Sequence, residues 1–188
     1  MAQEPSVNEA SSPVDLRGAR HTAYVMGGLA AVLWAVMGPD NPLVGAAVTF
    51  GTANLGLAVV PLALRLPEGS YRVPPGERFL HLALGVPAFG WLLDKSGWNR
   101  KVALPMRNLK VGKASLQRLL VNIHAAEGAH AIAFLPHVAL ALLAYATGHV
   151  PGALWILMPG VILHLYPVLL QRWMTLRVAP LVRRSSAD

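Results

Sequence analysis

The chain has 188 residues, 54% of them hydrophobic and only 13% charged, with a mean hydropathy of +0.46; a soluble domain carries about 25% charged residues, so this composition is that of an integral membrane protein. There is no cysteine, which excludes disulfides, thiolate nucleophiles and Cys-ligated metals. The net charge of +7 is spread over the segments between hydrophobic runs with no aromatic interleaving, which argues against a nucleic-acid partner and fits membrane topology.

Residues 1–20 are rich in Ser, Pro, Glu and Ala and have no apolar periodicity before Val14, so a disordered tail is expected. The stretch is too long and too acidic for a signal peptide. Residues 21–184 read as a single membrane domain, with residues 185–188 as a short tail. The first span covers residues 21–38, with Tyr24 and Trp34 near its ends as interface aromatics. Gly38-Pro39-Asp40-Asn41-Pro42 is a turn. The second span, residues 43–64, contains Gly45, Gly51, Ala53 and Gly56, small residues that let helices approach closely in lipid. Arg65 ends it.

Residues 65–127 read as a cytoplasmic or interfacial segment, since ten of the sixteen basic residues lie between Arg65 and Arg118. Within it, Glu77 to Leu93 is apolar but interrupted by Gly85, Pro87 and Gly90, which predicts an interfacial or re-entrant helix. A basic loop from Asp94 to Lys113 follows, and another helix begins at Ser115 with Gln117 and Arg118 facing water. The third span covers residues 128–147 and the fourth residues 152–170; Gly152 to Leu170 holds no charge and is about 20 residues long, enough to cross a bilayer. The fold class is therefore all-α: a polytopic membrane protein with four transmembrane helices plus an interfacial or re-entrant helix between spans two and three. The turns at 38–42 and 148–152 contain no Lys or Arg, so both termini and the middle segment are expected in the cytoplasm, at a bacterial inner membrane.

The polar residues inside this apolar frame are the candidates for chemistry. His164 precedes Gln171 by seven positions and Arg172 follows, a polar line down one helix face. His130 and His137 are likewise one heptad apart, and the short turn at 148–152 makes spans three and four antiparallel neighbours, within reach of each other. Glu127 and His130 are three apart on one helix side, where a carboxylate can orient an imidazole and raise its basicity. Two plainer readings stand beside this one: Glu127 and Arg172 as an interhelical ion pair, and His164 bonded to a neighbouring helix. His81, His124 and His149 lie near interfaces and read as hydrated. The intramembrane histidines with Glu127 also offer ligands suited to zinc or iron. Their spacing matches no ligand set, so no metal and no bound cofactor are assigned. H-E-x-x-H, G-x-S-x-G, P-loop and H-x-x-x-x-D patterns are absent.

The tail H-L-Y-P-V-L-L-Q-R-W-M-T-L-R-V resembles the N-x-Y-P-x-x-x-Q-R-Y-N-R-x-R pattern of the glycosyl-4,4'-diaponeurosporenoate acyltransferase family, small membrane proteins of carotenoid modification. Ala126-Glu127-Gly128-Ala129-His130 is similar to that family's A-E-x-x-H, and Glu77-Arg78-Phe79 with Leu84-Gly85-Val86 to its E-R-x...L-G-V stretch. The resemblance runs from Glu77 to Arg184. It departs from the pattern at His164, Trp173, Met174 and Thr175, where the family has Asn, Tyr, Asn and Arg, and the family's W-K is not evident near Trp91 or Trp98.

The resemblance implies a membrane acyltransferase that moves a fatty acyl group from an acyl thioester (acyl-CoA or an acyl carrier) to a hydroxyl of a lipid-borne acceptor such as a glycosylated carotenoid. The catalytic set is then Glu127, His130, Gln171 and Arg172: His130 as general base, Glu127 orienting it, Arg172 and the Gln171 amide stabilising the oxyanion. His137, His164, Tyr166, Trp173, Glu77 and Arg78 are expected to contact substrate. Membrane lipids and a lipid-soluble acceptor are the expected partners. Two other classes remain open: a non-catalytic membrane subunit packed against a larger pigment or transport complex, and a His-ligated membrane metalloenzyme.

Overall fold

A computed structural model describes residues 15–98 and 113–187. All regular structure among the described residues is helical. Helix α1 is Leu16–Met37, α2 is Pro42–Ala58, α3 is Val60–Ala63, α4 is Glu77–Ala83, α5 is Val86–Lys95, α6 is Lys113–Ala146, α7 is Val150–Gly160 and α8 is Tyr166–Ala187. A 3-10 turn, Glu68–Tyr71, leads toward α4, and a π-helical turn, Val161–Leu165, joins α7 to α8 without a break.

Local chemistry sets these boundaries. Asp15 caps α1, its carboxylate accepting from the Arg17 and Gly18 N–H groups at 3.1 and 3.0 Å. The helix therefore starts inside the tail expected to be disordered; residues 1–14 of that tail lie outside the described residues. Asn41 caps α2 through the Leu43 N–H at 2.9 Å, with Pro42 at the first helical position. The expected second span is interrupted at Val59, where Pro61 cannot supply the next backbone donor, and α3 is a separate turn. The segment expected as one interfacial helix is two, α4 and α5, broken at Leu84 and Gly85. The largest difference is α6: the helix starting near Ser115 and the third span are one helix of 34 residues that runs through Glu127, Gly128 and Pro136. At 1.5 Å per residue it is about 50 Å long, more than a bilayer core of about 30 Å. Most of the basic loop, residues 99–112, lies outside the described residues, and α8 continues through Ala187 into the expected C-terminal tail.

Helix α1 packs on α2, α2 on α6 and α7, and α6 on α7 and α8, while α4 and α5 lie against α8. The contacts are made by small residues: Ala30, Val44, Ala47, Val48, Ala141, Ala144, Ala153 and Ile156 form the core. Gly45 touches the α7 backbone so closely that a Cβ there would run into the Trp155 carbonyl oxygen. Ala53 faces outward instead. The bulky apolar side chains, among them Leu29, Phe50, Leu135, Leu142, Trp155 and Ile162, are exposed. Small residues inside and large ones outside is the packing of a membrane protein, in which lipid and not a protein core receives the large side chains. Two helices are long and apolar enough to cross a membrane, Leu116–Ala146 and Val150–Arg184, and only 28% and 22% of their most apolar windows are buried. The first two expected spans correspond to α1, with Arg17 and Arg20 in its opening turns, and to the 17-residue apolar α2.

The two turns at 38–42 and 148–152 meet at one end of the bundle. Asp40 accepts from the Gly152 N–H at 2.9 Å and contacts His149 Nδ1 at 2.9 Å, and that imidazole holds the Asp40 carboxyl below the usual carboxylate range. His149 is thus partnered by Asp40 while its side chain stays part-exposed.

Candidate active site

Toward the other end, α4, α6 and α8 bring one arginine and two carboxylates together. Arg172 of α8 donates from Nε and Nη2 to the two oxygens of Glu77 at 2.9 and 2.6 Å, and from Nη1 to Glu127 Oε1 at 2.7 Å. Nη2 also reaches the Arg72 carbonyl at 3.4 Å. The fork geometry is one that only a guanidinium offers. Its hydrogen bonds hold the Glu77 carboxyl below the usual carboxylate range. Glu127 is only 4% exposed.

Around this tie lies a shell of buried polar atoms without hydrogen-bond partners among the described residues: Glu127 Oε2, Gln171 Oε1, Thr175 Oγ1 and both ring nitrogens of His81. His81 Nε2 lies 3.9 Å from Glu77 Oε2, beyond hydrogen-bond distance but within reach of its charge. His81 is fully buried, with Trp173 edge-on at 6.1 Å between centroids, and burial pushes its imidazole pKa down. Its hydrated reading is therefore incorrect, because α4 turns it into the contact with α8. His124 stacks on Tyr71 at 4.6 Å.

One helical turn further along α6 the polar contacts change from carboxylates to imidazoles. His130 Nδ1 is 3.2 Å from His164 Nδ1, His164 Nε2 is 3.1 Å from the Thr52 hydroxyl, and that hydroxyl is 2.9 Å from His137 Nε2. His137 Nδ1 ends the chain on the Ile156 carbonyl at 2.6 Å. Three helices and the π-turn contribute. His164 sits in the π-turn that follows Pro159, a local widening frequent at functional sites. Gly160 makes room for His137: a Cβ there would lie 2.6 Å from the His137 Cβ.

The expected site residues divide accordingly. Glu77, Glu127 and Arg172 meet directly, His130 contacts His164 directly, and His137 joins them through the Thr52 hydroxyl. Glu127 and His130, expected as an oriented pair, have different partners: Glu127 is held by Arg172, whose guanidinium draws a carboxylate more strongly than an imidazole does, and His130 turns to His164. Arg172 has its Nε, Nη1 and Nη2 on carboxylates, which makes it a tie between helices before it is an oxyanion donor. Gln171 is buried beside it. Tyr166 donates to the Leu84 carbonyl at 3.1 Å and packs on Phe89, fastening α8 to the α4–α5 junction. Arg78 is exposed and outside the cluster. Thr52, Thr175 and His81 escape a sequence reading; a buried histidine in a broken apolar stretch is the only signal His81 gives, and Thr52 gives none. The described residues contain no group of three or more His, Asp or Glu side chains set to hold a metal ion.

Chemically, the arrangement leaves the His130 imidazole with Nδ1 engaged by His164 and Nε2 without a partner among the described residues. A neutral imidazole nitrogen that keeps its lone pair can accept a proton. Compared with known families, residues 69–184 match a family model described as glycosyl-4,4'-diaponeurosporenoate acyltransferase. No curated protein matches the chain, and no solved structure matches it.

Proposed function

Because the chain belongs to the glycosyl-4,4'-diaponeurosporenoate acyltransferase family, we propose that it moves a fatty acyl group from a carrier thioester, acyl-CoA or an acyl carrier, to a hydroxyl of a lipid-borne acceptor such as a glycosylated carotenoid. The observation that carries this reading is that the matched residues include Glu77, Glu127 and Arg172, which meet directly, and His130, which contacts His164 through Nδ1. In the reaction His130 Nε2 takes the hydroxyl proton as the oxygen attacks the thioester carbonyl. Negative charge gathers on the carbonyl oxygen, and the Gln171 amide is the donor at hand. The C–S bond then breaks, the thiolate leaves with the proton returned by His130, and an ester and a thiol result. Arg172 holds Glu77 and Glu127 in place while this happens.

The same proposal includes the membrane arrangement: four spans, formed by α1, by α2 with α3, by the second half of α6, and by α7 with the first part of α8. The pair α4–α5 lies at the interface and both termini are cytoplasmic, in a bacterial inner membrane. The basic loop then faces anionic lipid head groups, worth about 1 kcal/mol of attraction per basic residue.

One observation favours a second reading, a non-catalytic subunit: the Arg172 guanidinium is already satisfied by two carboxylates, as a purely structural tie would be. The experiment that separates the two is the lipid profile of a host with and without the protein, paired with purified protein assayed with acyl thioester and glycosylated acceptor. An acylated lipid that depends on the protein supports the enzyme. An unchanged profile and no transfer by folded protein overturn it.

A further inference from the structure

We infer that Thr52 is a positioning residue for His130: through His164 it fixes the proton of His130 on Nδ1 and leaves Nε2 as the basic nitrogen. The inference rests on the acyl-transfer reading for its use, but the proton order follows from the contacts alone. It begins at a backbone carbonyl. The Ile156 oxygen can only accept, so His137 Nδ1, 2.6 Å away, must carry a proton and donate. His137 is fully buried and none of its contacts among the described residues is a carboxylate, so a doubly protonated ring would be an unpaired charge at membrane depth. The ring is neutral and its Nε2 is a lone pair.

That lone pair faces the Thr52 hydroxyl at 2.9 Å. The hydroxyl has one proton and two oxygen lone pairs. Two acceptors facing each other at that distance would repel, so the proton points to His137 Nε2 and not to the Thr49 carbonyl at 3.1 Å. Having donated, Thr52 Oγ1 can only accept from His164 Nε2 at 3.1 Å. His164, 2% exposed, then has its single proton on Nε2 and a lone pair on Nδ1. His130 Nδ1, 3.2 Å away, must donate to it. The last nitrogen in the chain, His130 Nε2, is thereby left as an acceptor.

An imidazole is a useful base only if the reacting nitrogen holds the lone pair, and a hydrogen bond to the other nitrogen sets this. A carboxylate usually supplies that bond. Here a neutral imidazole does, and its own orientation comes from a threonine on α2, outside the residues that match the family model. When His130 takes a proton, the Nδ1 contact to His164 becomes a charge-assisted hydrogen bond, shorter and stronger than before.

The test is nitrogen-15 NMR on the full-length protein in detergent with labelled histidines, in which the shifts and two-bond couplings report which nitrogen of each ring is protonated. At pH 8 the expected pattern is Nδ1–H on His130 and His137 and Nε2–H on His164. Thr52→Val, similar in shape but without the hydroxyl, should turn His164 and His130 into mixtures of tautomers and lower turnover roughly two- to tenfold, the worth of one hydrogen bond to a neutral group. Thr52→Ser should restore both. A wild-type His164 protonated on Nδ1, or a Thr52→Val protein with unchanged tautomers, overturns the inference. If Thr52→Val does not fold, the wild-type pattern alone decides. The expected tautomers in a protein that transfers no acyl group would sink the acyl-transfer reading and leave the proton order standing; transfer with the wrong tautomers would do the reverse.

Discussion

Two carboxylates depend on Arg172, and their burial decides what its loss would do. Glu127 is nearly enclosed and Glu77 is half-buried, so Arg172→Met strands both charges in a site built to neutralise them. Removing one partner of a buried ion pair destabilises by about 3–5 kcal/mol, and thermal unfolding in detergent should show a loss of that size. Arg172→Lys should recover only part of it, because one ammonium cannot span both carboxylates as the fork does. A Met variant as stable as wild type would show that the tie is not structural. His81 makes a pH prediction. Burial lowers its folded pKa below that of the exposed ring, about 6.5, so the stability tied to its neutral form is present above that pH. As pH falls through about 6.5 the unfolded chain takes up the proton first, and that contribution is lost. The fall in melting temperature from pH 7 to pH 5 should therefore be smaller in His81→Phe than in wild type; an equal or larger fall would contradict it.

At the scale of the elements, how much the sequence reveals depends on the distance over which the information travels. The heptad between His130 and His137 and the five-residue turn at 148–152 are local features, and together they are enough to bring both histidines to His164, with ring centroids 5.5 and 5.4 Å from it. Thr52 lies 85 positions before His137 and joins them only because α2 packs on α6 through glycines and alanines, which no spacing in the chain encodes. The polar Glu127-Gly128 pair reads as a helix boundary, yet α6 continues through it. A helix keeps its own backbone bonds satisfied in water and in lipid alike, so crossing the interface does not require an end. The partner of Glu127 was legible only as an alternative, since Arg172 and His130 are both plausible from spacing and the charge decides between them. Gly160 tests the packing directly. A methyl group at that position collides with the His137 ring and its Cβ, so Gly160→Ala must push α6 from α7 and should destabilise by about 1–3 kcal/mol, the usual effect of overpacking. Circular dichroism melts would measure it, and a neutral Gly160→Ala would mean that the two helices are not in such close contact.

At the scale of the whole molecule, the apolar exterior and small-residue interior fit a bundle in lipid, and the charge pattern gives the proposed four-span topology its direction. The cysteine-free chain allows a clean check: a single cysteine at Ser115, before the second half of α6, should be shielded from a membrane-impermeant thiol reagent added outside intact cells and labelled after the cells are opened. Strong external labelling would invert or break the topology. The central claim is chemical, that His130 is the base of an acyl transfer. It is tested most directly by the turnover of His130→Ala in detergent, with acyl thioester and a glycosylated lipid acceptor, on protein whose melting temperature matches wild type. Loss of a general base predicts a fall of roughly 100- to 10,000-fold; a folded His130→Ala protein that transfers acyl groups at the wild-type rate would contradict the account.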